Sequence, residues 1–161
     1  MQNFLRILLM TFLIGWGPIA HSATQMPIAK NLEKTAQLAT QKNIPIAILL
    51  SFKGLNSTKD LKEEALYPNL LSGLYDEAAL FREIQVNTKA QTIDFYGEPL
   101  PNSLFQQLFN VTSLPVVVFV DSQGNLLTSP LIAGSYEFYG YYLKQKINQA
   151  LKALNNPLQV E

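Results

Sequence analysis

The side chains that most often perform covalent or metal chemistry in proteins are nearly absent from this sequence. It contains no cysteine, and its one histidine, His21, follows an apolar N-terminal run. Thiol redox chemistry, Cys or His metal ligation and histidine-activated nucleophiles all require these residue types. We therefore expect no catalytic residue, no bound metal and no cofactor, and we do not expect an enzyme.

Carboxylates are the acid–base groups that remain. Asp60, Glu63 and Glu64 lie near a predicted helix start, and Asp94 and Glu98 flank the sequence FYG. A carboxylate hydrolase would need two acids facing each other across a cleft at a set separation, and the spacing of these five predicts no such pair. We interpret them as solvated charges of helices and loops. A carboxylate hydrolase stays open as a further alternative.

Length and charge narrow the class of protein. A chain of 161 residues with 48% apolar content can bury one ordinary core, so residues 24–161 are predicted to form a single domain. The formal net charge is zero at pH 7. Without a surplus of basic residues, neither nucleic acid nor anionic lipid is an expected partner.

Residues 1–23 have the pattern of a secretory signal peptide. The segment has a short polar start ending at Arg6, an apolar run over 7–16, and the small residues Ala20, Ser22 and Ala23. The apolar run is short of the roughly 20 residues that span a bilayer. We expect cleavage after Ser22 or Ala23 and export to the periplasm, with no membrane span in the mature chain; the alternative is an uncleaved N-terminal anchor.

Hydrophobic periodicity and turn residues predict an alternation of helices and strands. In chain order these are a helix over 27–42, a buried strand over 45–52, a helix over 59–66, a strand over 82–87, a short helix after residue 102 or 103, a strand over 116–120, a returning strand over 126–132 and a closing helix. The second helix is predicted to be capped by Ser57 or Thr58 and to be interrupted by Pro68. The short helix is predicted to begin after a cap at Asn102 or Ser103 and to turn Leu104, Leu108 and Phe105 toward the core. The segment 92–103 is predicted to be an irregular connection. This order predicts an α/β protein with a mixed central sheet and helices on both faces.

Three segments of the chain resemble exported bacterial proteins of the thioredoxin-like family. They are VTSLPVVVFVDSQGNLL, LKEEALYPNLLSGLYDEAALFREIQVN and PLIAGSYEFYGYYLKQKI, which together fall within residues 44–154. The resemblance implies the thioredoxin fold. It also implies that the proline of the first segment, Pro115, follows a cis peptide bond and faces the family's active site.

The resemblance places the family's Cys-x-x-Cys motif on Leu55, Asn56, Ser57 and Thr58. Leu55 and Thr58 stand at the two cysteine positions. The acid that the family usually buries in the preceding strand is also missing, because residues 43–52 contain no Asp or Glu. Both losses indicate a thioredoxin-like protein without redox activity.

Two surfaces remain as candidates for binding a protein or peptide partner. The first combines Leu55–Thr58 with Leu114 and Pro115, where the family pairs its backbone with an extended partner segment. A plain helix cap and a scaffold proline are the structural alternatives. The second is the aromatic segment around Tyr136, Tyr139 and Tyr142, which would make the protein an assembly subunit of an envelope complex; core packing plus ordinary surface is its structural alternative.

Overall fold

The computed structural model describes residues 26–161 of the protein. The predicted signal peptide, residues 1–23, lies outside this range. Within the range, no helix combines the length and the apolar character needed to cross a membrane.

Within residues 26–161, six strands form two sheets. In chain order they are β1 (Ile46–Ser51), β2 (Leu80–Gln85), β3 (Gln91–Ile93), β4 (Pro99–Pro101), β5 (Val116–Val120) and β6 (Leu131–Ile132). The central sheet has the order β2-β1-β5-β6, in which β1 runs parallel to β2 and antiparallel to β5. β3 and β4 pair with each other in a separate antiparallel ribbon. The mixed α/β architecture predicted from the sequence is thus confirmed.

Helices cover both faces of the central sheet. They are α1 (Leu32–Lys42), α2 (Asn56–Asp60), a π-helix (Leu61–Leu66), α3 (Tyr67–Leu71), α4 (Phe105–Leu108) and α5 (Tyr139–Ala153), with single 3₁₀ turns before α4 and α5. The π-helix, α5 and alternate residues of β1 and β5 form one core cluster. Helices α1 and α4 form the other with the remaining residues of the same strands. Because β1 and β5 are buried on both faces, they are apolar along their whole length except at Ser51, the last residue of β1.

The first helix is shorter than predicted. It begins at Leu32, because the side chain of Asn31 accepts a hydrogen bond from the backbone N–H of Lys34 at 2.7 Å and so caps the helix. The preceding residues are extended instead, and Ile28 bridges Glu83 in parallel beside β2.

The segment after β2 also differs from its prediction. Residues 92–103 contain most of the β3–β4 ribbon rather than an irregular connection. Proline is unfavourable in a strand that is paired on both sides. Pro99 and Pro101 are tolerated here because β4 pairs only with β3 and therefore has a free edge. In the helix that follows, Phe105 is fully buried as predicted, but Leu104 and Leu108 are exposed. One turn of helix presents only one residue to the sheet.

The hairpin after β5 and the closing helix are close to their predictions. The returning strand is reduced to β6 and an isolated bridge between Val120 and Leu126. The apolar stripe of α5 is buried at Leu143, Ile147, Ala150 and Leu151, and Leu154, beyond the end of the helix, is half-buried.

Candidate functional site

The loop over Leu55–Thr58 lies at the carboxyl end of β1. A turn brings the backbone N–H of Leu55 to 3.2 Å from the carbonyl oxygen of Phe52, and Gly54 in that turn has a φ of +89°. The loop is tied to the end of β2 by Asn87, whose side-chain amide exchanges two hydrogen bonds with the backbone of Lys53, at 2.7 and 3.0 Å. The loop therefore has a defined position relative to both parallel strands.

The four residues at the motif position divide into exposed and buried ones. Leu55 and Asn56 are exposed, and Ser57 is half-buried. Thr58 is buried, and its hydroxyl accepts a hydrogen bond from the backbone N–H of Phe52 at 3.3 Å. The predicted cap at Ser57 or Thr58 is wrong, because the helix begins at Asn56 and Leu55 occupies the cap position without a side-chain hydrogen bond. Thr58 ties the loop instead of capping the helix.

Leu114 and Pro115 lie at the same end of the sheet as this loop. Leu50 pairs with Val116 across the β1–β5 ladder, so Pro115 precedes β5 where β1 gives way to the loop. The Leu114–Pro115 peptide bond is cis. Pro115 is buried, and the half-buried Leu114 packs against the core cluster of α1 and α4.

Two separate cavities lie at this end of the sheet. The first, of about 330 Å³, lies between the Leu55 loop, the π-helix and β2. The second, of about 280 Å³, is lined by residues 110–113 and by residues at the start of β5 and around β6, Ile132 among them. Neither is lined by both Leu55 and Pro115. The two loops therefore lie at one end of the sheet, and these two cavities do not join them.

A buried carboxylate that the sequence prediction passed over lies at the base of the first cavity. Glu83 in β2 is 2% exposed, and its two carboxylate oxygens have different partners. The hydroxyl of Ser51 donates to one at 2.7 Å, and the ammonium of Lys62 lies 2.6 Å from the other. Lys62 compensates the charge of Glu83 and Ser51 satisfies the other oxygen, as burial of a carboxylate requires.

The burial of Glu83 could have been predicted from the alternation of side-chain directions along β2. Ile84 and Val86 were predicted to face inward, and both are buried. Glu83 therefore faces the opposite side of the sheet, and a sheet covered by helices on both faces buries that side as well. Lys62, one residue into the π-helix, supplies the complementary charge.

The π-helix positions Lys62 for this contact. Lys62 is 17% exposed, and its ammonium lies 5.9 Å from the ring centre of Tyr67. Leu61, Ala65 and Leu66 of the same six-residue segment are buried in the core. π-helical turns are rare and occur often at functional sites. Here the π-helix places Lys62 over the sheet, and the apolar residues of the same helix remain packed in the core.

The other carboxylates do not form a catalytic pair. Glu63 lies 3.9 Å from Lys59 on the surface, and Asp94 accepts backbone hydrogen bonds from Tyr96 and Glu98 at 2.8 and 2.9 Å. Asp94 therefore closes a turn. Within residues 26–161, no cluster of three or more Asp, Glu, His or Cys side chains could hold a metal ion.

The aromatic segment differs from its prediction in one important residue. Tyr139, the first residue of α5, is 2% exposed and belongs to the core, so its side chain offers no surface to a partner. Tyr136 is half-buried. The exposed aromatic surface consists of Phe138, Tyr141 and Tyr142, with the last two rings in edge contact at 5.4 Å.

The hydroxyl of Tyr139 is buried among residues 26–161 without a hydrogen-bond partner from them. Desolvation, together with the nearby Tyr136, raises the pKa of Tyr139 well above the ordinary tyrosine value. This group is a cost to the folded state and not a functional acid at neutral pH.

No protein-family model matches the chain, and no curated protein matches it.

Proposed function

We propose that the protein is an exported, redox-inactive thioredoxin-fold protein of the periplasm that binds a protein or peptide beside Leu55–Thr58. The observation that carries the proposal is the 330 Å³ cavity at this loop, which has an exposed leucine at its rim and a compensated charge pair at its base. Such a combination of apolar surface and a few fixed polar groups is typical of binding sites.

Two further features support the fold assignment within this proposal. The strand order β2-β1-β5-β6, with one parallel and two antiparallel pairings, and the cis bond before Pro115 are compatible with a thioredoxin-like domain. The absence of cysteine from the chain supports a binding role over thiol–disulfide exchange.

A binding assay with a matched pair of variants tests the site. Leu55→Asp places a charge at the rim of the cavity, and Leu158→Asp does the same at a leucine with the same exposure, 41%, at another cavity. On an array of peptides blocked at both ends, binding by the wild type should be lost with Leu55→Asp and retained with Leu158→Asp. Binding by Leu55→Asp that equals the binding by the wild type, or turnover of a protein disulfide by the wild type, would overturn the proposal.

A second candidate is an assembly subunit that docks through the aromatic surface, because Phe138, Tyr141 and Tyr142 are each at least half exposed. Contiguous exposed aromatic side chains are typical of interfaces. Replacing Tyr141 and Tyr142 with Ala should then abolish co-purification of the complex and leave peptide binding at Leu55 unchanged. Retained co-purification would exclude this role.

A further inference from the structure

The cavity beside Leu55 carries an excess of positive charge at its mouth. Five charged side chains line it, and four of them form the pairs Lys62–Glu83 and Lys59–Glu63. Lys53 is the fifth and has no salt bridge to any residue of 26–161. The Lys59–Glu63 pair is exposed and 3.9 Å apart, so it leaves Lys59 available to a ligand at little cost.

The base of the cavity does not repel an anion. Both oxygens of Glu83 are engaged, one by Ser51 and one by Lys62, and the ammonium of Lys62 has three donors, of which the ion pair uses one. A single negative charge entering the cavity would therefore meet a lining with three ammonium groups and two carboxylates, and the net positive charge of this lining comes from Lys53.

The remaining lining matches a peptide unit next to an apolar group. The side-chain amides of Asn56 and Gln85 line the cavity and have no hydrogen-bond partner within the described part of the chain. Each offers a donor and an acceptor, the same pair as a backbone peptide group. Leu55 and Tyr67 supply the apolar wall. A volume of about 330 Å³ is at the small end of the range of about 300–1,000 Å³ for ligand pockets, so only a short part of a peptide fits inside.

We infer that this cavity binds the C-terminal residue of a peptide, with the terminal carboxylate held by the three lysines and an apolar side chain against Leu55 and Tyr67. The inference rests on the proposed function and specifies its ligand.

Two short peptides test it by NMR titration of the ¹⁵N-labelled protein. The probes are N-acetyl-Ala-Ser-Leu with a free carboxylate and the same peptide with a terminal amide. The free acid should shift the amide signals of Lys53, Gly54, Asn56 and Gln85, and the amide should bind at least about tenfold more weakly, because hydrogen bonds to a charged group contribute about 1.5–3 kcal/mol. Affinity for the free acid should fall as NaCl is raised.

Charge variants on the surface identify the lysines. Lys53→Gln and Lys59→Gln should each weaken binding of the free acid about threefold, a typical effect for an exposed charge contact. Lys34→Gln is the matched control, because Lys34 is an exposed lysine on α1 that does not line the cavity. All three positions are exposed, so the variants should fold normally.

The outcomes separate this inference from the proposed function. Equal affinity for acid and amide overturns the C-terminal assignment, and the proposed function survives if blocked peptides still bind in a Leu55-dependent manner. Hexanoate binding as tightly as the tripeptide acid would show that the site takes free carboxylic acids and would also overturn it. If the wild-type protein binds neither the blocked nor the free peptides, the C-terminal assignment and the proposed function are both overturned.

Discussion

Glu83 shows how much of this site depends on one residue. The carboxylate is buried between the sheet and the π-helix. Lys62 neutralises its charge, and the hydroxyl of Ser51 donates a hydrogen bond to its other oxygen. A buried ion pair adds little net stability over apolar residues of the same size, yet removal of one partner leaves an uncompensated charge. The pair therefore fixes the position of Lys62 at the base of the cavity more than it stabilises the fold.

A single and a double substitution distinguish these two contributions. Glu83→Gln should lower the free energy of unfolding by about 3 kcal/mol, because it leaves the ammonium of Lys62 without its partner. Adding Lys62→Met should recover most of that loss. Urea unfolding followed by circular dichroism measures both, and a double variant as unstable as the single one would show that the loss of the charge pair is not the cause.

Tyr139 gives a prediction of the opposite sign. Tyr139→Phe removes a buried hydroxyl that has no hydrogen-bond partner in the described part of the chain, so at pH 7 the free energy of unfolding should stay the same or rise by about 1 kcal/mol. The exposed Tyr142→Phe is the control and should change nothing. A clear loss of stability in Tyr139→Phe would mean that the hydroxyl has a partner in solution.

The same variant should behave differently at alkaline pH. The pKa of Tyr139 is raised in the folded protein, so folding keeps a proton that the unfolded chain releases near pH 10. The free energy of unfolding is therefore unaffected by this group below about pH 10, where Tyr139 is protonated in both states. Above that pH the difference in proton binding lowers the free energy of unfolding by about 1.4 kcal/mol per pH unit. Tyr139→Phe should therefore show a smaller decline between pH 10 and 11 in urea unfolding. Some decline should remain, because burial also raises the pKa of Tyr75.

At the scale of elements, two turns hold the ends of the central strands. Gly54 follows β1 and Gly124 follows β5, with φ of +89° and +85°. A Cβ at Gly54 would meet open space, whereas one at Gly124 would lie 2.7 Å from the ring of Phe95. The turn after β5 is thus packed against the segment that connects β3 and β4.

These two glycines form a matched pair for mutation. Gly54→Ala should cost about 1 kcal/mol from backbone strain alone. Gly124→Ala should cost at least about 1 kcal/mol more, because the ring of Phe95 must move as well. Thermal unfolding compares them directly, and equal costs would show that Phe95 has room to shift.

At the scale of the whole molecule, the two core clusters share the strands β1 and β5. Leu143, a residue of α5, lies in one cluster, and α1 packs in the other cluster, on the opposite face of the sheet. Because the strands between them are common to both, the two faces should unfold together.

Leu143→Ala tests this coupling. The substitution should lower the free energy of unfolding by about 2–5 kcal/mol. Hydrogen exchange of the most protected amides should accelerate by the same factor in α1 as in α5, although α1 does not contact Leu143 in the core. Unchanged protection of α1 would show that the two faces open independently.

Local patterns in the sequence were sufficient for the main elements. The apolar runs of β1 and β5 and the helical stripe of α5 can be recognised in the sequence, because a strand buried on both faces is a short apolar run between turn residues and an amphipathic helix repeats its apolar residues about every 3.6 positions. The missing thiols are a property of composition alone. The boundaries of α1 and the short β3–β4 ribbon were missed, because a cap and a pairing partner decide them.

The sequence by itself thus determined the mixed α/β architecture and the absence of cysteine chemistry. Only the tertiary structure decided that Glu83 and Tyr139 are buried and that Leu104 and Leu108 are not. Burial of a side chain depends on which element packs across from it, and those contacts join residues that are distant in the chain. The cavity beside Leu55 has the same origin, since its walls come from a loop, a π-helix and a strand that meet only in the folded protein.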